Sequence, residues 1–273
     1  MKRWVSWMVL MLILFSLSAC GQSNLPTEPP DALETAPTAP LETKPTEPET
    51  TETPETKPTE PKPTEPKHSA LYIPDVSVED VIMYFNEVCL DSEFVNSGDP
   101  SFVQKWANPI FYMVQGAYTD KDIAVLNSFA EWLNRVEGFP GISQTTDPVK
   151  VNLRIYFCDQ QEMLDRMGQN FNNLDGAVTF WYMENMIYDA IICCRTDLSQ
   201  QLRNSVILEE LYNGLGPIQD TRLRPDSIIY QEFSQPQWLS SMDELILKLL
   251  YHPDIRPGMN ANQCEQVIRK LYY

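Results

Sequence analysis

The chain has 273 residues, with 38 Asp and Glu against 20 Lys and Arg and a formal net charge of −18. A protein this acidic repels nucleic-acid phosphates and anionic membrane surfaces, so the composition argues against a nucleic-acid partner. The chain has two histidines, His68 and His252. A zinc site built from three imidazoles is therefore excluded.

The first residues predict a targeting signal rather than part of the fold. Lys2 and Arg3 precede an apolar run over residues 4–15, which is too short to span a membrane comfortably. The following Leu17-Ser18-Ala19-Cys20-Gly21 resembles a bacterial lipobox, which implies cleavage before Cys20 and lipidation of its thiol. We expect a signal peptide over 1–19 and a lipid anchor on the extracytoplasmic face of a Gram-positive-type membrane. The alternative is an ordinary secretory signal in which Cys20 is incidental.

A low-complexity segment follows over residues 20–69. It is rich in Pro, Thr and Glu and contains near-repeats such as Lys44-Pro45-Thr46-Glu47-Pro48. Such a composition cannot bury a core, so we expect a disordered linker that lifts a domain off the membrane. The remaining residues 70–273 suit one domain, which we divide into a helical preface over 70–145 and a core over 146–273.

Three helical regions are predicted in the preface. Ser77 can cap the first, and a second covers about 101–117 with an interruption near Pro109. Thr119 with Asp122 begins the third, which carries an apolar stripe.

The core changes to the period of β-strands. Residues 149–157 alternate apolar and polar side chains, and 176–183 and 187–194 read as two more strands joined by a turn near Glu184-Asn185. A short helix is expected from Asp159. The overall expectation is an α+β fold, with a small mixed sheet of three or more strands packed on a buried long helix, a helical preface and C-terminal helices.

The buried long helix is predicted to run from about Ser199 to Leu215. Apolar residues cover most of its circumference, which predicts burial, yet Glu209, Glu210 and Asn213 lie in its second half. Buried carboxylates are costly unless they are paired or have a task. Two interpretations stay open: these groups face a solvent-filled groove or bond to loop backbone, or they retain a chemical or ligand-binding role.

Two further helices are predicted after this one. The first is opened by a capping box of Ser241 and Glu244, and the second begins at Asn260. Buried free thiols are favoured over a disulfide for the five cysteines beyond the signal, because five is odd and several lie in apolar runs. They are Cys89, Cys158, Cys193, Cys194 and Cys264.

The order of these elements resembles a zincin, specifically the matrixin-type metzincins, which carry HExxHxxGxxH on the long helix. Glu209, Asn213 and Gln219 stand at the three zinc-ligand positions, and Glu210 stands at the general-base position. Other matches are Gly216 at the motif glycine, the turn Ser227-Ile228-Ile229-Tyr230, the segment Leu239-Ser240-Ser241-Met242-Asp243 and the helix end Leu250-Tyr251. A bacterial secreted family of unknown function also looks similar through Leu250-Tyr251-His252-Pro253 and Arg256-Pro257-Gly258-Met259. The resemblance covers about 149–260.

The resemblance implies that the zinc has been lost, so no cofactor is expected. One carboxylate and two amides would make a weak, oxygen-only site, and Glu210 would have no metal-acidified water to activate. The leading hypothesis is a surface-anchored pseudo-metallopeptidase that binds a peptide or protein in its former cleft. The candidate cleft residues are Glu209, Glu210, Asn213, Ile229, Tyr230 and His252.

Two alternatives remain at this stage. One is an unorthodox metallohydrolase, a peptidase that uses Glu210 as general base with ligands rebuilt from Glu209, Glu210, His252 or Asp220. His252 also has a simpler interpretation as a residue at the negative end of a helix dipole. The other alternative is a structural cell-envelope lipoprotein in which the cleft is filled.

Overall fold

The computed structural model describes residues 69–90, 101–232 and 234–273. The predictions about the signal peptide, Cys20 and the linker up to residue 68 lie outside these residues. In the described part of the chain, no helix combines the length and the apolar character that crossing a membrane requires.

Within the described ranges, six strands form one sheet. β5 and β6 form an antiparallel hairpin through Glu184 and Asn185, whose φ angles of 53° and 62° suit a tight two-residue turn. β4 and the short β1 share the other edge of β6, and β2 and β3 continue the sheet with parallel pairings. The strands are β1 (Lys105–Trp106), β2 (Ile110–Gly116), β3 (Ile142–Gln144), β4 (Leu153–Cys158), β5 (Gly176–Met183) and β6 (Met186–Arg195).

The helical region predicted over about 101–117 is wrong. The structure places β1 and β2 there, and β2 lies between β3 and β4. Its run Ile110-Phe111-Tyr112-Met113-Val114 consists of residues that favour β-strands. A continuous apolar run this short, however, has no hydrophobic period that distinguishes a strand from a helix. Pairing with strands from the rest of the chain therefore decides its conformation, and the preface contributes β1, β2 and β3 to the sheet.

The predicted strand over 149–157 begins later than its alternation suggests. Asp147 accepts hydrogen bonds from the backbone N–H of Val149 through its side chain and of Lys150 through its carbonyl, which makes a turn. β4 therefore starts at Leu153.

The described residues also form six α-helices, whose starts follow the sequence signals closely. Ser77, Thr119, Asp159, Ser199 and Asn260 each accept a backbone N–H in the first turn of the following helix. The capping box predicted at Ser241 and Glu244 is wrong by one residue, because Ser240 and Asp243 form it. The helices are α1 (Val78–Leu90), α2 (Asp120–Leu133), α3 (Gln160–Met167), α4 (Gln200–Asn213), α5 (Ser241–Tyr251) and α6 (Ala261–Tyr272).

The sheet has a large core on one face and a small one on the other. α4 belongs to the large core, where Val178 and Ile192 are among the buried strand residues. α3 covers the small core, which contains Ala177 and Cys193. All five described cysteines are buried and free. The prediction of a mixed sheet packed on a buried helix is confirmed, although the sheet is larger and more parallel than expected.

Candidate functional site

The polar residues of α4 lie where the helix is enclosed by protein. Glu210 is 2% exposed and Asn213 is fully buried, whereas Glu209 is half-buried. Residues 210 and 213 are separated by about one turn, so both face the same side of the helix. The helix ends directly after them, where Trp106 of β1 donates its indole N–H to the Gly214 carbonyl at 2.8 Å.

Glu210 packs against the first residue of β5. A Cβ on Gly176 would lie 2.4 Å from Val206 Cγ1 and 2.8 Å from Glu210 Oε1, distances that no side chain can tolerate. Glycine at this position therefore lets the strand approach α4 closely enough to contact the Glu210 carboxyl.

The surrounding charges make ionisation of this carboxyl unfavourable. Burial raises the pKa of Glu210 well above its ordinary value of 4.5, and the nearby acids Glu209 and Asp220 raise it further. The pKa of Glu209 is also raised, first by burial and then by Asp220 and Asp175. Neither glutamate forms a salt bridge with a described residue. These effects all favour the protonated, neutral form of the Glu210 carboxyl.

Several polar atoms at this site lack a partner within the described residues. They are Glu210 Oε2 and both side-chain polar atoms of Asn213, Nδ2 and Oδ1. A buried polar atom without a hydrogen bond costs about 1–3 kcal/mol. Such a cost in a native protein calls for an explanation, and water or a ligand with matching hydrogen-bonding groups supplies one.

The segment 214–240 between α4 and α5 carries three of the predicted site residues. Gln219 donates its backbone N–H to the Val88 carbonyl of α1 at 3.3 Å. Tyr230 is half-buried and pairs with Thr221 in an isolated bridge, while Ile229 is fully buried. Asp220, which was considered only as a rebuilt ligand, is the acid that acts on both glutamates.

Asp243 holds the turn at residues 227–230 in place. Its carboxylate accepts hydrogen bonds from the Ser227 hydroxyl at 2.7 Å and from the Ile228 backbone N–H at 2.9 Å. The same carboxylate caps α5 through Ser240, and Tyr84 of α1 donates to it at 3.2 Å. These side-chain hydrogen bonds hold the predicted turn in position.

The structure does not place His252 with these residues. His252 is the C-cap of α5 and lines a separate cavity with Ser69 and Trp132, and its Nδ1 accepts the Asp254 backbone N–H at 3.2 Å. It therefore occupies the helix-end position that its sequence context allows.

The donor set at the former ligand positions does not fit zinc. Glu209 offers one carboxyl group, and Asn213 and Gln219 offer amides, whereas zinc prefers imidazole nitrogen or thiolate sulfur. No group of three or more His, Cys, Asp or Glu residues in the described ranges is arranged to hold a metal ion. Sequence reasoning missed Asp175 and Gly176, and their only signal was their place at the start of a strand.

Comparison with known proteins gives a family without an assigned activity. The model of the family described as "Protein of unknown function (DUF2927)" matches residues 79–270, which is well over half of the chain. No curated protein sequence matches.

Proposed function

The chain belongs to this DUF2927 family, and we propose that its domain is a zincin-like scaffold that binds peptide without hydrolysing it. The order β4, α3, β5, β6, α4, turn and α5 supports the zincin-like assignment, because it follows the order of elements in the resemblance. We also propose that a lipid on Cys20 anchors the protein to the outer face of a cell membrane.

The observation that carries the proposal is the environment of Glu210. A general base must be ionised before it can take a proton from water. Burial and two neighbouring acids raise the pKa of this carboxyl and so favour its protonated form, and the ligand positions around it do not fit zinc. The residue at the base position is therefore unsuited to activating water.

The unpartnered atoms favour an amide as the ligand group. A protonated carboxyl and an asparagine amide each offer both a donor and an acceptor. A peptide bond has the same two functions and can satisfy Glu210 and Asn213 together. Its N–H and C=O would relieve the cost of the buried atoms that lack partners among the described residues.

β5 supports an extended peptide in particular. Arg195 donates its backbone N–H to the Asp175 carbonyl, so these two residues form a hydrogen-bonded pair between β6 and the start of β5. In an antiparallel ladder such pairs alternate with pairs whose backbone groups point away from the partner strand. The backbone groups of Gly176 and Val178 then point away from β6, on an edge that no described strand occupies. Such an edge can accept a peptide as an added strand.

Access requires a movement of the chain. Glu210, Asn213 and residues 176–180 are buried, so a peptide reaches them only when the segments that cover them shift. Segment 214–240 is a candidate, because it is long and its described residues form no helix or strand. Long segments of this kind in compact domains are often lids or binding loops.

A capped peptide library tests binding and hydrolysis together. The full-length protein in detergent is incubated with random octapeptides blocked at both ends, with and without zinc, and mass spectrometry reads both retained and cleaved peptides. We expect intact peptides to be retained by the wild type, with retention about tenfold lower in Asn213→Leu. Asn172→Leu, at an exposed position, is the control and should retain peptides normally.

Two results would contradict the proposal in different ways. Zinc-dependent cleavage that disappears in Glu210→Gln would establish the metallohydrolase alternative. If the protein neither retains nor cleaves peptides, the structural-lipoprotein interpretation remains.

A further inference from the structure

A cavity of about 420 Å³ lies away from α4, where α2, α5 and α6 meet the first described residues. This volume falls within the range of ~300–1,000 Å³ that is typical of small-molecule sites. The lining is amphipathic. Its apolar part is formed by Leu71, Trp132, Val136 and Leu271, and its polar part includes Arg135, Lys248 and His252.

Arg135 is the most informative residue of the lining. Its guanidinium forms no ion pair with a described residue, in a chain where acids outnumber bases by 38 to 20. A guanidinium presents a planar fork of donors that matches a carboxylate or phosphate. An exposed arginine that has no ion-pair partner among the described residues, and that lies beside an aromatic cavity, is therefore available to an anionic ligand.

Two other donors line the same cavity. His252 uses Nδ1 as an acceptor for the Asp254 backbone N–H, which leaves Nε2–H as a donor. The Lys248 ammonium pairs with Glu244 at 3.0 Å and lies 5.8 Å from the centre of the Trp132 ring. Lysine has three N–H donors, so this pairing leaves capacity for a ligand. Glu137 is the one acid among the described lining residues, and its negative charge would repel an anionic ligand.

We propose that this cavity is a second binding site, for a small organic anion. The carboxylate or phosphate of the ligand would bind Arg135, with Lys248 and His252 as further donors, and its compact apolar body would pack on Trp132 and Leu271. The site is independent of the proposed peptide site, because none of its lining residues belongs to α4, β5 or segment 214–240.

Matched probes separate charge recognition from apolar packing. Isothermal titration of the full-length protein in detergent uses 3-phenylpropionate, phenyl phosphate and the uncharged 3-phenylpropanamide. We expect at least one of the two anions to bind, and the amide to bind about tenfold more weakly because it lacks the charge-assisted bond. Preference between the two anions identifies the ligand as a carboxylate or a phosphate.

Variants that change charge in opposite directions complete the test. Arg135→Gln should weaken binding of the preferred anion about tenfold, whereas Glu137→Gln should strengthen it several-fold. Arg224→Gln is the control, because it removes the same charge at a distant surface pair with Asp226 and should leave binding unchanged. The proposal is overturned if neither anion binds, if the amide binds equally well, or if Arg135→Gln and Arg224→Gln have the same effect.

Discussion

At the scale of single residues, Glu210 is an acid at a position where its charge would be expensive. The carboxyl is 2% exposed, and the two charged groups that act on its pKa are both acids, Glu209 and Asp220. Its protonated form avoids the cost of burying a charge but leaves Oε2 without a partner among the described residues. This neutral state separates the residue from the catalytic role that its sequence position implies.

Replacing Glu210 by glutamine should stabilise the protein at neutral and alkaline pH. The folded-state pKa is raised above 4.5, so the folded protein holds a proton that the unfolded chain releases, and stability falls as pH rises above about 4.5. Each pH unit in that range costs the wild type about 1.4 kcal/mol until the folded-state pKa is reached. The Glu210→Gln variant has no carboxyl at this position, so it does not lose stability in this way as pH rises.

Urea unfolding at pH 4 and pH 7.5 measures this effect. We expect the variant to gain stability over the wild type at pH 7.5 and to match it near pH 4. Glu131→Gln, on the exposed side of α2, is the matched control and should show no such pH-dependent gain. If the free energy of unfolding depends on pH in the same way in the wild type and in Glu210→Gln, the pKa of Glu210 is not raised in the folded protein.

At the scale of elements, one buried ion pair joins two helices. Arg203 of α4 contacts Asp122 of α2 at 2.9 Å, and both side chains are nearly or fully buried. Burial raises the pKa of Asp122, but hydrogen bonds from Gln200, Thr119 and Arg203 outweigh it and lower the pKa below 3.8. The capping residue of α2 thus also fixes the position of the helix that carries Glu210.

Asp122→Asn should destabilise the protein by about 3 kcal/mol at pH 7, because it leaves the buried Arg203 without its counter-charge. The folded-state pKa of Asp122 is lowered. The ionised carboxylate therefore stabilises the folded protein above pH 3.8, and this stabilisation is lost as pH falls through the folded-state pKa. The difference from the wild type should therefore shrink in more acidic solution. Thermal unfolding at pH 7 and pH 3 checks this, with Asp165→Asn at an exposed position as control.

The elements differ in how well the sequence predicts them. β5 and the hairpin turn were predictable, because a run of β-branched and aromatic residues followed by a two-residue turn is a local signal. The Ser240 cap was misplaced by one residue, since Ser240 and Ser241 both precede suitable acids. β2 was missed because a short apolar run adopts the conformation that its partners impose.

At the scale of the whole molecule, Lys105 connects distant parts of the chain. Its ammonium is buried and donates to the carbonyls of Leu250 at 2.7 Å and Ile255 at 2.5 Å. It thereby ties β1 to the end of α5. Burial lowers its pKa from 10.5 to about 8. The sequence could not reveal this role, since lysine is rarely buried and its partners are backbone groups far along the chain.

The stability of the wild type relative to Lys105→Met should rise between about pH 8 and 10.5. In this range the unfolded chain holds a proton on Lys105 that the folded protein has released, so stability increases with pH. Groups that the charge of Lys105 does not influence titrate alike in both proteins and cancel in the comparison. Chemical unfolding at pH 7.5 and 9.5 measures the change, and Lys121→Met at an exposed position should show none.

The candidate site is also a product of the whole fold. Glu209, Glu210 and Asn213 could be predicted because they share one helix. Asp175, Gly176 and Asp220 could not be placed beside them, because strand pairing and segment 214–240 bring them there. His252 was grouped with the site only through its ligand chemistry, and the fold positions it at the end of α5.

The protonation state of Glu210 tests the account most directly. The side-chain carboxyl carbon, labelled with ¹³C and assigned by its loss in Glu210→Gln, reports the charge of this residue in an NMR titration. We predict a titration midpoint well above the ordinary glutamate value of 4.5. A midpoint near 4.5 would show an ionised carboxylate able to act as a base, and would contradict the proposal of a non-hydrolytic site.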